Sequence, residues 1–70
     1  MTLRDFTRLS NQGKTEVVEL RGIELNEKVV PGFKVKVYQV DSFFVEVYHT
    51  VVDGLISRFR ACSSKEAVYN

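Results

Sequence analysis

From Ile23 onward the chain alternates apolar and polar residues with a period of two, and this alternation restricts the fold more than any other feature. Four such runs follow one another: IELNEKVV, FKVKVYQV, FFVEVYHT and LISRFRAC. The turn-forming dipeptides PG, DS and DG lie between them. Runs of this kind, bounded by turn residues, are typical of half-buried strands joined by hairpins. The sequence therefore predicts a four-stranded antiparallel β-meander, with a tight turn at Pro31-Gly32.

The residues before Ile23 favour helix instead. Thr2 precedes an apolar row at three-residue spacing, and Asp5 stands where the second member of a capping box is needed. The row consists of Leu3, Phe6 and Leu9. We therefore expect a short first helix that ends near Leu9.

A second helix is predicted after Ser10, which can act as its N-terminal cap. The segment GKTEVVELRG would continue this helix, with Gly22 ending it in the left-handed conformation. Its inward residues would be Val17, Val18 and Leu20. Because two adjacent valines and Gly13 lower helix propensity, a strand over residues 14–20 is the alternative.

The C-terminal stretch SSKEAVYN indicates the start of another helix, with Ser63 as its cap and Glu66 completing a capping box. Such a helix is shorter than the ~12–15 residues that are marginally stable alone. It must therefore dock on the sheet or fray. If the chain is truncated, a longer C-terminal helix has been lost. The fold expected is one two-layer α+β domain over residues 1–70. Its parts are an N-terminal helical segment, the meander and the start of a C-terminal helix.

The register of the last two hairpins decides which side chains share a face. A two-residue turn at Asp41-Ser42 would bury Glu46 beside valines without a partner, which is costly. A three-residue loop over residues 40–42 avoids this, since it sets Val37 opposite Val45 and Lys36 opposite Glu46. The next hairpin, with residues 52–54 as its loop and Gly54 left-handed, pairs Val47 with Phe59 and Glu46 with Arg60. The predicted inner face is then Phe33, Val35, Val37, Phe43, Val45, Val47, Leu55 and Phe59.

The predicted outer face carries rings among alternating charges. These rings and charges either stabilise the sheet across strands or form a contact surface for a partner. We predict a noncatalytic protein-interaction module, in which the outer face or an edge strand binds another protein or a second copy of the chain. The candidate surface consists of Lys34, Lys36, Tyr38, Phe44, Glu46, Tyr48, Arg58 and Arg60. A weak platform for single-stranded nucleic acid is the alternative, disfavoured by the net charge of only +1 and by Glu46 among the cations.

The composition gives little support for a catalytic, metal or cofactor site. The chain has one cysteine, Cys62, and one histidine, His49, which are too few for a disulfide framework or a usual zinc site. We expect His49 to be a structural residue facing inward beside Phe33. Glu24, Glu27 and Lys28 are expected to form a solvated edge. No small-molecule substrate is suggested. A cytoplasmic location is expected, because no signal peptide or apolar run of about 18 residues is present.

Several segments resemble a family of short uncharacterised bacterial proteins with N-terminal helical, YQ-DG-F-VEV-Y and RFR segments. In this chain they are TLRDF with LS, Gly22, YQVDSFFVEVYH and DGLISRFRACSS. The resemblance covers most of the chain and implies a helical segment followed by a meander, without any activity. This chain has Ser42 where the family has glycine, and it ends where the family continues into a longer helix.

Overall fold

The fold consists of two helices followed by four strands, seen in a computed structural model that describes residues 1–64. The elements are α1 Leu3–Thr7, α2 Asn11–Arg21, β1 Ile23–Val30, β2 Phe33–Val40, β3 Phe43–Thr50 and β4 Ile56–Cys62. The strands form one antiparallel sheet in the order β1-β2-β3-β4. The predicted α+β class and meander are confirmed. The expected C-terminal helix falls on residues 65–70, outside the described part.

Helix α1 begins with the predicted capping box. The Thr2 hydroxyl accepts a hydrogen bond from the Asp5 amide at 3.1 Å, and the Asp5 carboxylate accepts one from the Thr2 amide at 3.3 Å. These two bonds satisfy amides that have no partner within a first helical turn. The helix ends at Thr7, two residues before the predicted end.

Helix α2 shows that residues 14–20 are helical, so the strand alternative is wrong. Ser10 caps it, accepting a hydrogen bond from the Gly13 amide at 3.1 Å. Val18 is buried, but Leu20 is 85% exposed, contrary to prediction. Two residues correspond to about 200° around a helix, so Leu20 lies nearly opposite the buried stripe.

Gly22 ends α2 in an extended conformation, with φ −76° and ψ 137°, so the predicted left-handed stop is wrong. The chain passes straight from α2 into β1 and needs no reversal there. Space explains the glycine instead, because a Cβ atom would lie 2.4 Å from the Val18 carbonyl oxygen and 3.2 Å from the Tyr38 ring.

The hairpin between β2 and β3 differs from the predicted one by one residue. Val40 pairs with Phe43, so Asp41 and Ser42 form a two-residue turn. Asp41 has φ 50°, the left-handed conformation that two-residue hairpins require at their first turn position. The Pro31-Gly32 turn is as predicted, with Gly32 at φ 85°.

This slip reverses the faces of β2 relative to β3. Val40 shares a face with Phe43 and Val45, beneath the helices, and we call this the helix-side face. Val37 lies opposite Glu46 on the other face, which we call the far face. The pairing of Val37 with Val45 and of Lys36 with Glu46 was therefore wrong. Three residues of the predicted inner face lie on the far face: Phe33, Val35 and Val37.

The register between β3 and β4 is confirmed over most of its length, since Val47 pairs with Phe59 and Glu46 with Arg60. Near the loop it shifts, and His49 pairs with Ile56. The extra residue in β4 leaves Leu55 exposed, although an inward position was predicted.

The core lies between the helices and one half of the helix-side face. The ring of Phe6, on α1, has its centroid 5.5 Å from that of Phe43 and 6.3 Å from that of Phe59. The buried members are Phe6, Val18, Val40, Phe43, Val45 and Val47. Toward the β1–β2 turn this face opens into concavities, and Lys34 is exposed there.

Candidate functional site

The candidate surface is divided between the two faces of the sheet. Pairing places Lys34, Lys36 and Tyr38 on the helix-side face, opposite His49, Val47 and Val45. It places the other five residues on the far face: Phe44, Glu46, Tyr48, Arg58 and Arg60. The prediction that all eight form one surface is therefore wrong. The reversed β2 register is the cause.

Glu46 is the centre of the far-face group, with its side chain only 1% exposed. Its Oε1 lies 2.7 Å from Arg60 Nη1, and its Oε2 lies 2.8 Å from Lys28 Nζ. Burial on its own would raise the pKa of Glu46, but the hydrogen bonds and charges of Lys28 and Arg60 outweigh it and leave the pKa lowered. The same contact with Glu46 raises the pKa of Arg60.

Lys28 was expected on a solvated edge, and its ion pair with Glu46 corrects that expectation. The lysine stands on β1 opposite Val35 and reaches across β2 to β3. Sequence reasoning missed this partner because it weighed only residues on the strands that flank β3.

The rings of the far face also have partners within the chain. Phe33 and Tyr48 meet edge to face, with ring centroids 5.8 Å apart. The Arg58 guanidinium lies 4.3 Å from the Tyr48 centroid and 5.8 Å from the Phe33 centroid. Such contacts are those by which a sheet stabilises itself across strands. Many of the rings and charged groups of the far face thus already have partners within the chain.

On the helix-side face the three predicted residues remain accessible to different degrees. Lys34 is exposed, with Nζ 3.9 Å from the Glu27 carboxylate. Lys36 and Tyr38 are half-buried, and burial raises the pKa of the Tyr38 hydroxyl. Lys34 and Lys36 lie at the end of the sheet that the helices leave open, whereas Tyr38 packs against the core.

The edge strand β1 carries the most exposed aliphatic side chains of the sheet. Ile23 is 65% exposed and Val29 73% exposed, one near each end of the strand. Between them, Leu25 is the extra residue where the register with β2 shifts, and it too is exposed. An edge strand presents unpaired main-chain groups, so apolar side chains along it favour pairing with another strand.

His49 and Cys62 lie on opposite faces of the sheet and form no catalytic pair. His49 is opposite Lys34 on the helix-side face, so its predicted position beside Phe33 is wrong, and its Nδ1 lies 3.3 Å from the Gly54 carbonyl oxygen. Cys62 pairs with Phe44 on the far face. Over residues 1–64, no three His, Cys, Asp or Glu side chains group as metal ligands, and no helix is long and apolar enough to cross a membrane.

Comparisons of the chain with protein-family models, with curated proteins and with solved structures found no match. The functional proposal therefore depends on the geometry of the chain itself.

Proposed function

We propose that the chain is a noncatalytic protein-interaction module that associates with a second copy of itself by pairing two β1 strands. The observation that carries this proposal is the exposure of Ile23 and Val29 on an eight-residue edge strand. Adding a strand to such an edge satisfies main-chain donors and acceptors, while the alternate side chains supply specificity.

A two-fold arrangement suits the distribution of side chains along β1. When two copies pair antiparallel, the start of one strand lies against the end of the other. Ile23 and Val30 lie on the far face, and Val29 lies on the helix-side face. Ile23 of one copy then lies near Val30 of the second copy, and Val29 lies beside the start of the second β1 strand on the helix-side face. The other edge strand, β4, carries Arg58 and Arg60, and charged side chains on an edge strand discourage pairing with another strand.

Glu27 weakens this arrangement, because it lies near the middle of β1 and would approach its own copy. Like charges that face each other across strands are destabilising. We therefore expect weak association that strengthens with added salt or with Glu27→Gln.

Sedimentation velocity over a wide concentration range tests the proposal. The wild type should form a dimer at high concentration, and Val29→Lys should remain a monomer. Val52→Lys is the matched control, since Val52 is 97% exposed in the β3–β4 loop, away from β1. A wild type that stays monomeric at millimolar concentration contradicts the proposal. Loss of the dimer in the double variant Phe44→Ala, Tyr48→Ala, but not in Val29→Lys, would transfer the contact to the far face.

The alternative of single-stranded nucleic-acid binding has less support after the faces are assigned. The basic residues are divided between the two faces, Arg60 is paired with Glu46, and Arg58 covers the Tyr48 ring. A base-stacking platform needs rings and free cations on one surface.

A further inference from the structure

The helix-side face contains a groove that runs from beneath α2 into the uncovered half of the sheet, and the proposed dimer does not use it. It consists of two adjoining concavities that share His49 as part of their walls. The inner one, of about 110 Å³, lies between α2 and the sheet and is lined by Val18, Val47, Ile56 and Phe59 among others. The outer one, of about 350 Å³, is lined by Lys34, Lys36 and Thr50 besides His49.

The outer concavity concentrates positive charge. Lys34 and Lys36 are two residues apart on β2, so both point to the helix-side face, and His49 stands directly opposite Lys34. Lys36 has no carboxylate within 4.0 Å among residues 1–64, and Lys34 has only that of Glu27 at 3.9 Å. The nearby Asp53 accepts hydrogen bonds from the Thr50 hydroxyl and the Leu55 amide, so its carboxylate is hydrogen-bonded within its own loop.

We propose that this groove binds a small organic monocarboxylate with an apolar body. The carboxylate would lie between Lys34, Lys36 and His49, and the apolar body would enter the inner concavity against Val47 and Phe59. The outer volume is at the lower end of the ~300–1,000 Å³ that ligand sites occupy. An apolar pocket with a few convergent polar groups is the usual composition of such sites.

The acidic residues near the groove favour one negative charge over several. Glu19 borders the inner concavity, and Glu27 lies on β1 opposite Lys36, with its carboxylate 3.9 Å from Lys34 Nζ. Because charge repulsion grows with the charge of the ligand, both disfavour a polyanion such as a nucleotide more strongly than a single carboxylate.

NMR titration with phenylacetate and 4-methylvalerate tests the proposal. These probes offer an aromatic and a branched aliphatic body. Phenylacetamide is the uncharged match of phenylacetate, and phenyl phosphate carries the other common anion. The chain has one histidine, so the ring signals of His49 report on the site without overlap from another imidazole. We expect saturable shifts at His49 and at the amides of Lys36 and Val47 with a carboxylate probe, and none with phenylacetamide.

Lys36→Gln should weaken carboxylate binding at least tenfold, the loss expected for about 1.4 kcal/mol, which is at the low end for a hydrogen bond to a charged group. Arg8→Gln is the control, because it removes one positive charge from the exposed end of α1, outside the groove. Ile56→Ala should weaken binding through the apolar part. Circular dichroism confirms that each variant is folded.

The proposal is overturned by any of three results. The first is the absence of saturable binding of either carboxylate at tens of millimolar. The second is equal binding of phenylacetamide, or tighter binding of phenyl phosphate. The third is an equal loss in Arg8→Gln and Lys36→Gln. None of these results bears on dimerisation through β1.

Discussion

The carboxylate of Glu46 is buried on the far face, and cations from two other strands stabilise its ionised form. An ionised carboxylate loses hydration when it is buried, so it persists only where ion pairs and hydrogen bonds replace the water. Lys28 on β1 and Arg60 on β4 supply these contacts at 2.8 Å and 2.7 Å. A residue of β3 thereby connects both edge strands of the sheet.

Replacing Lys28 should be more costly than replacing an exposed lysine of similar shape. Lys28→Met keeps most of the aliphatic stem but leaves the buried carboxylate with Arg60 alone, and we expect a loss of about 1–3 kcal/mol in the free energy of unfolding. Lys34→Met is the matched control, because its contact with Glu27 is long and exposed and contributes only about 0–1 kcal/mol. Urea denaturation measures both. Equal losses would mean that the Lys28–Glu46 pair adds nothing specific.

The lowered pKa of Glu46 predicts a loss of stability in acid. Because the folded-state pKa lies below the ordinary value of 4.5, the unfolded chain takes up this proton at a higher pH than the folded chain does. The stability contributed by the charged form is therefore complete above about pH 4.5 and disappears as the pH falls through the folded-state value.

The stability difference between wild type and Glu46→Gln should follow the same pH course. It should be present at neutral pH and shrink toward zero in acid. Asp41 and Asp53, whose pKa values are also lowered, are unchanged in both proteins, so their contributions cancel in the difference. Denaturant unfolding at a series of pH values measures this. A difference that stays constant, or grows in acid, would contradict the assigned pKa direction.

Among the elements, those defined by neighbouring residues were predictable from the sequence. The caps at Thr2 and Ser10 and the turn at Pro31-Gly32 each depend on residues within three or four positions, and all three were confirmed. The pairing of Val47 with Phe59 was also correct. This pairing joins β3 to β4 and does not involve β2, so the wrong register predicted for β2 did not affect it.

The β2–β3 register was not predictable by the same reasoning, since its deciding contact is not local. The two-residue turn was rejected because it buries Glu46, and the structure does bury Glu46. Arg60, opposite Glu46 on β4, supplies one compensating cation, and Lys28, which lies two strands away from Glu46 in the sheet, supplies the other. Asp41 itself favours the two-residue turn, since aspartate is among the residues that tolerate the left-handed conformation. Asp41 also binds the N-terminal ammonium at 3.2 Å and Arg21 at 3.0 Å.

Val18 is the one residue of α2 that is fully within the core, so packing holds this helix at few points. The N-terminal cap of α2 should therefore contribute measurably to the free energy of unfolding. Ser10→Ala removes the hydroxyl that accepts the Gly13 amide and should cost about 1 kcal/mol. Ser57→Ala is the control, since Ser57 is the exposed extra residue of β4 and should change stability by less than about 0.5 kcal/mol. Thermal unfolding followed by circular dichroism compares the two. A Ser10→Ala protein as stable as the Ser57→Ala protein would show that packing alone holds α2.

For the molecule as a whole, the helices cover only part of the helix-side face, and this explains why two residues of the divided candidate surface are accessible on that face. Lys34 and Lys36 lie on the helix-side face, yet they reach solvent because α1 and α2 pack over the opposite end, at Val40 and Phe43. Alternation within a strand identifies two sets of side chains but not which set the helices cover. In this chain both faces of the sheet have a buried centre, so polarity alone did not distinguish them.

The packing of α1 on the sheet depends largely on Phe6, the fully buried ring of that helix. Phe6→Ala should cost about 3–5 kcal/mol, as large aromatic truncations in cores do. At roughly 0.05–0.15 kcal/mol per residue, a domain of this size holds only a few more kcal/mol than that, so the variant should be close to unfolding at room temperature.

Leu20→Ala is the matched control for Phe6→Ala, because Leu20 was expected in the core but is exposed in the structure. It should change the free energy of unfolding by less than about 0.5 kcal/mol. Urea denaturation of both variants against wild type measures the contrast. A large loss in Leu20→Ala would mean that α2 presents its other side to the sheet. A small loss in Phe6→Ala would mean that α1 does not close the core, and the division into covered and open halves of the helix-side face would then be wrong.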